Sequence, residues 1–246
     1  MILVYDGSLC GYLCALSKGL ECPDAAEDII TNEAAQGFLL GDFFYIGADP
    51  LAADSLQTRV KAISGAIYGH LLYSWLAETE GCEMLGFRYL RAALSYGKSA
   101  DSHLEDPAVL AMTKLVLKVG GERHRMMGLL RFSETADGTF YAPFEPDHNI
   151  TALVAGHFAA RIPDRDWIIH DVKRGIAAVF RASENRFEVV SGELSSEVEY
   201  TQQELRYREL WRAFHKTIAI GERTNPKLQK RFMPSRYWKH LTEKTI

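Results

Sequence analysis

The hydrophobic period of this chain changes at Gly120-Gly121, and that change constrains the fold more than any other feature. From 53 to about 120, apolar residues return every three or four positions: Val60, Ile63, Ile67, Leu71 and Trp75 form a clean stripe, and Leu85, Tyr89, Ala92 and Tyr96 a looser one. Three helices, near 53–77, 80–96 and 106–120, account for the pattern. Beyond the glycine pair, aromatic and β-branched runs bounded by turn residues take over. The runs 124–132 (HRMMGLLRF) and 139–144 (TFYAPF) flank a turn containing Asp137-Gly138, which predicts an antiparallel hairpin. A helix over 150–160 and strands over 167–171, 175–181 and 186–190 follow.

At the start, 2–5 (ILVY) reads as a strand ended by Asp6-Gly7-Ser8, with Ser8 placed to cap a helix over 9–20. Residues 21–52 carry Pro23, Gly37, Gly41, Gly47 and Pro50, the composition of loops with one or two short strands. The closing segment, 205–246, begins as a helix. Leu205, Leu210, Phe214 and Ile218 lie near one face, and Asn225-Pro226 and then Pro234 interrupt the rest. The expected fold is therefore α+β: a mostly antiparallel sheet with packed helices and a helical insertion at about 53–120. We expect one domain over 1–246, with the insertion countable as a helical subdomain.

A chain of 246 residues, 47% of them hydrophobic, has enough apolar surface for one large core or two smaller ones. The first residues have no positive n-region, so no secretory leader is expected. Apolar runs fall short of the roughly eighteen residues a membrane span needs. The four cysteines, Cys10, Cys14, Cys22 and Cys82, contain no CxxC pair and read as reduced cytoplasmic thiols. Cys10-x3-Cys14 begins like a radical-SAM cluster loop, but position 17, where the third cysteine would stand, is Ser17. Four residues apart on a helix, the two thiols share a packing face. No cofactor and no metal are expected.

Charge is strongly polarised. Residues 206–246 hold eleven of the twenty-eight Lys and Arg and three of the thirty-two acids, a local +8 within a net −4, so the other 205 residues sum to −12. The same segment interleaves Tyr207, Trp211, Phe214, Phe232, Tyr237 and Trp238, and cations beside rings suit phosphates beside bases. Arg212, Lys216, Arg223, Lys227, Lys230, Arg231, Arg236, Tyr237, Trp238 and Lys239 are the candidate nucleic-acid-binding residues. The competing reading docks these bases on the chain's own acids, for instance the stretch 193–204.

A second constellation lies in the β-rich centre: His124 opening a strand, Glu145 and Asp147 ending the next, and His170-Asp171 ending another. Histidine and carboxylates move protons and ligate metals, and strand ends are where sites collect. These five are the candidate catalytic residues. None of their spacing matches HExxH, and Pro146 equally suits a turn in which Asp147 bonds the backbone. Arg123, Arg125 and Arg131 would give the first strand of the hairpin a cationic face, which either extends the basic surface of the C-terminal segment together with Lys173 and Arg174 or is the ordinary solvent side of an antiparallel sheet.

Several separated segments resemble the domain of unknown function 4130 family: 5–8 (YDGS), 124–132, 141–150 (YAPFEPDHNI), 157–158 (HF), 167–171 (WIIHD), 210–220 (LWRAFHKTIAI), 225–229 (NPKLQ) and 233–239 (MPSRYWK). The resemblance implies a DNA metabolism or repair protein, usually encoded beside a radical-SAM iron–sulfur protein and sometimes fused to a uracil-DNA-glycosylase-like domain. It carries no agreed catalytic residues. The iron–sulfur cluster would belong to the partner, and no glycosylase activity is expected of this chain. Three functions follow: a DNA-binding accessory protein acting through its basic segment, a hydrolytic or nucleic-acid-modifying enzyme, or an assembly protein whose cations meet an acidic protein.

Overall fold

The first strand forms because Ile2-Leu3-Val4-Tyr5 is β-branched and aromatic, and Asp6 stops it: its carboxylate accepts both the N–H and the O–H of Ser8. Ser8 in turn accepts the Gly11 N–H at 2.9 Å and so starts the following helix. The computed structural model describes residues 1–38, 41–192 and 198–244. They form two compact units, Met1–Gly120 and Gly121–Ile246.

In the first unit the elements run β1 (Ile2–Tyr5), α1 (Leu9–Glu21), β2 (Asp28–Thr31), α2 (Asn32–Ala35), β3 (Phe43–Tyr45), α3 (Pro50–Ile63), α4 (Gly65–Ala77) and α5 (Cys82–Tyr96). A 3-10 turn at Gly97–Ser102 and the first part of α6 (Pro107–Leu129) complete it. The sheet has the order β2-β1-β3 and is parallel throughout, because each return passes through intervening chain instead of a tight turn. Leu56, Val60, Ile67, Leu71, Phe87 and Leu90 pack with Leu3, Tyr5, Tyr12 and Leu16 in one buried core. The expected first helix, 53–77, is broken at Ser64, whose extended backbone ends α3 and whose hydroxyl caps α4.

The second unit begins with the end of α6 and continues through β4 (Ser133–Glu134), β5 (Phe140–Phe144), α7 (Thr151–Arg161), β6 (Trp167–Asp171), β7 (Ile176–Arg181), β8 (Arg186–Ser191), α8 (Gln202–Thr217) and α9 (Pro226–Phe232). Single 3-10 turns stand at Gly221–Arg223 and Ser235–His240. The sheet order follows the sequence, β4 to β8, with β5 and β6 parallel across the α7 crossover and the other neighbours antiparallel. The α+β class is as expected. Its antiparallel character is confined to this sheet, which is mixed, while the sheet of the first unit is wholly parallel. Trp167 and Phe180 sit opposite each other across β6 and β7 with stacked rings 4.9 Å apart, both fully buried. No described helix is long and apolar enough to cross a membrane.

The predicted hairpin needs correction. Residues 124–129 are the last turns of α6, so His124, Arg123 and Arg125 lie on a helix, not on a strand. Val109, Met112, Val119, Glu122, Met126 and Leu130 are buried at helical spacing straight through Gly120-Gly121. Two glycines cost a helix roughly 1 kcal/mol each, and the continuous buried stripe outweighs that. The turn itself is where it was expected: Gly138 takes φ 85° and its N–H reaches Thr135 O, but the strand it joins to β5 is the two-residue β4.

Gly86 on α5 is required by packing. A Cβ there would lie 1.9 Å from Tyr12 Oη and 2.7 Å from Ser74 Oγ, two buried hydroxyls bonded to each other at 2.7 Å. In an open helix Gly→Ala gains up to about 1 kcal/mol. At this site we expect Gly86→Ala to destabilise the protein by about 2 kcal/mol, as overpacking does, seen as a lower denaturation midpoint with an unchanged denaturant slope. An unchanged or raised midpoint would contradict this packing.

Candidate nucleic-acid interface

A buried carboxylate organises the second unit. Glu122, 1% exposed, projects from the end of α6 and accepts the backbone N–H of Asp147 at 2.7 Å, that of His148 at 3.0 Å and the hydroxyl of Tyr237 at 2.5 Å. Three donors replace the water a carboxylate loses on burial. They also join α6, the loop after β5 and the 3-10 turn at Ser235–His240. Burial and the Glu122 charge both push the Tyr237 hydroxyl well above its ordinary range, so it stays a donor.

The loop and the turn are further fastened by charge. Arg236 pairs with Asp147 at 2.7 Å, and both Lys239 and His240 meet the Glu145 carboxylate. Burial works to raise Glu145, but the hydrogen bonds and charges of Lys239 and His240 outweigh it and hold the carboxyl below its usual value. His240 itself is lowered, because its burial exceeds the help from Glu145. Arg174 donates to Asp171 at 2.8 Å, to Pro146 O and to Asp147 O, tying the end of β6 to the same loop. Asp171 is fully buried, and that burial raises its carboxyl despite Arg174. His170, held by Tyr141 Oη at 2.6 Å, is lowered by burial, with Asp171 opposing and His240 adding to the shift.

Four of the five candidate catalytic residues, Glu145, Asp147, His170 and Asp171, thus stand at the neighbouring ends of β5 and β6, where the register aligns Phe144 with Asp171. His124 is exposed on α6 and takes no part in these contacts. Among the described residues no three His, Cys, Asp or Glu side chains gather as a metal-ligand set. The cavity beside Glu145 and His240 measures about 10 Å³.

The candidate nucleic-acid-binding residues divide into two groups. Arg236, Tyr237, Trp238 and Lys239 are engaged within the unit: three bond Asp147, Glu122 and Glu145, and the Trp238 indole donates to Met233 O at 2.9 Å with Lys244 over its ring. Arg212 donates to Thr242 O. Lys216, Arg223, Lys227, Lys230 and Arg231 are exposed and make no hydrogen bond or ion pair with the described residues. Intramolecular docking of the bases therefore occurs, onto Glu145 and Asp147 as well as Glu204 of the expected stretch. Of the acidic stretch expected to receive it, residues 193–197 lie outside the described residues, and Glu204 pairs with Arg208 within α8.

Helix α8 buries none of its sixteen residues. One edge is fastened: Arg208 donates to Ser133 Oγ and lies 3.9 Å from the Tyr200 ring, and the Trp211 indole donates to Glu243 at 3.0 Å. Between this helix and the end of α6 runs an open groove of about 840 Å³, lined by Phe132, Arg131, Tyr207, Leu210, Trp211 and Phe214 among others. Sequence reasoning missed Glu122 and Glu243, and read Arg131 and Arg174 as outward basic surface, whereas they pair with Glu243 and Asp171. Glu122 had a visible signal, an acid on the apolar stripe between Val119 and Met126. Arg174, Arg131 and Glu243 had none, since their partners are fixed by tertiary packing alone.

Glu243, 3% exposed, receives Arg131 through two nitrogens at 2.7 and 3.2 Å. Burial alone would raise its carboxyl, but the bonds from Arg131, its own backbone and Trp211 dominate and bring it from 4.5 to about 2. The folded value lies below the unfolded one, so the stabilisation is full above pH 4.5 and is lost as pH falls from 4.5 toward 2. We expect Glu243→Gln to cost on the order of 3 kcal/mol at neutral pH, with the gap to the wild type closing across that acid window in denaturant titrations. A gap independent of pH would show that the charge of Glu243 is not what holds this edge.

Neither a curated protein nor a solved structure matches the chain. The family model described as a domain of unknown function, DUF4130, matches residues 80–243, taking in α5, α6 and the whole described sheet of the second unit but not the Tyr5-Asp6-Gly7-Ser8 start. With two thirds of its length matched in one continuous span, the chain belongs to the domain of unknown function 4130 family.

Proposed function

We propose that this chain is a nucleic-acid-binding accessory protein of DNA metabolism or repair, and that it holds DNA phosphates through the outward part of its C-terminal segment. The observation that carries the reading is the exposure of Lys216, Arg223, Lys227, Lys230 and Arg231 without a partner among the described residues. Elsewhere in the segment Arg236 and Lys239 meet carboxylates, Arg208 meets Glu204, Arg212 a carbonyl and Lys244 a ring, so this unmatched set marks a surface for an external anion. Asn225 caps α9 by accepting the Leu228 N–H, and Pro226 opens it, which presents Lys227, Lys230 and Arg231 on one face of a short helix. The metabolic setting comes from the family resemblance, which also supplies a radical-SAM iron–sulfur protein as the partner docked on the body of the chain.

The enzymatic reading has less support. Glu145, Asp147 and Asp171 are engaged by Lys239, Arg236 and Arg174, and the adjoining cavity of about 10 Å³ is at the lower limit for one water molecule. An active site needs room for a substrate as well as titratable groups.

The test is DNA binding by fluorescence anisotropy across a salt series. Each phosphate contact adds roughly one unit to the log–log salt slope, so reversing Lys227, Lys230 and Arg231 to Glu should weaken binding and flatten the slope by about three units. Binding that ignores salt, or no binding at all, would remove the proposal. Capture of an acidic protein that survives nuclease treatment would favour the assembly role in its place.

A further inference from the structure

We infer that the groove under α8 takes unpaired bases, so that the form of DNA this protein holds is single-stranded. The inference rests on the proposal that the basic segment binds DNA, and it adds which state of DNA fits. Tyr207, Trp211 and Phe214 are spaced four and three residues apart and share one face of α8. They are 56%, 41% and 52% exposed, an unusual state for three large rings in a row on a helix. Trp211 and Phe214 lie 5.8 Å apart with their planes 31° from parallel. The indole N–H of Trp211 is already satisfied by Glu243, which fixes the ring and leaves its π face available.

The groove itself, about 840 Å³, lies within the range of sites that enclose organic ligands. Its charges cancel locally, Arg131 with Glu243 and Arg208 with Glu204, so the floor is aromatic and neutral. Its surroundings are not. Lys216 follows Phe214 on the same helix, and Arg223, Lys227, Lys230 and Arg231 follow in the chain. A neutral ring platform followed in the chain by unpaired cations matches a strand whose bases stack while its phosphates meet the cations. A duplex presents no free base faces, and its phosphates alone leave the rings unused. A second copy docking through the same face would bring two segments of +8 together, which repulsion opposes.

The experiment compares three nucleic acids of equal length at one salt concentration: an oligothymidylate strand, an abasic strand and a duplex. Stacking contributes enough per base that the oligothymidylate should bind on the order of tenfold more tightly than either of the others. Trp211→Ala and Phe214→Ala should each remove most of that advantage and leave abasic-strand and duplex binding as they were. Trp211→Phe, which keeps a ring, should retain it and controls for disturbed folding. Duplex bound as tightly as the oligothymidylate, or an advantage untouched by both alanine variants, would overturn the groove assignment and leave the basic-segment proposal standing. Failure to bind any of the three would overturn both.

Discussion

The second unit depends on the burial of Glu122. A carboxylate withdrawn from water costs several kcal/mol unless its lone pairs are filled, and here three donors fill them. Those donors belong to segments distant in sequence: the loop after β5 supplies two backbone N–H groups and the turn near the C-terminus supplies the Tyr237 hydroxyl. Because the penalty falls on any arrangement that lacks one of them, the carboxylate fixes where the C-terminal turn must lie. The pairs Arg236–Asp147 and Lys239–Glu145, half exposed, add little energy of their own. They set the orientation of a turn that Glu122 has already placed.

How much of this was legible in the sequence follows from the range of each interaction. Strands β6, β7 and β8 and helix α7 were readable because their signals are local: β-branched runs between tight turns, and a helical stripe beginning beside Ile150. The end of α6 was not. Arg123, Arg125 and Arg131 fall on alternate positions and imitate a strand, whereas the deciding evidence, burial of Glu122, Met126 and Leu130 at helical spacing, needs the rest of the unit to exist. The parallel pairing of β5 with β6 was likewise invisible, since it is set by the α7 crossover and not by either strand's own residues. Of the candidate site, the clustering of Glu145 and Asp147 with His170 and Asp171 was readable as strand ends. That Lys239 and Arg236 would complete it from some ninety residues away was not.

The basic segment, read as a uniform surface of cations, is two structures in succession. Arg208, Arg212, Arg236, Lys239 and Lys244 are committed to a hydroxyl, a carbonyl, two carboxylates and an aromatic ring of the same unit. Arg206, Lys216, Arg223, Lys227, Lys230 and Arg231 have no such commitment among the described residues. Excess charge is what separates them. Of the nearby acids, Asp147 and Glu145 are taken by Arg236 and Lys239, Glu243 by Arg131, and Glu122 by Tyr237 and two backbone N–H groups, and the second group pairs with none of them. Docking neutralises only the cations it engages, so the segment is secured at its inner face while the cations of its outer face still call for an anion.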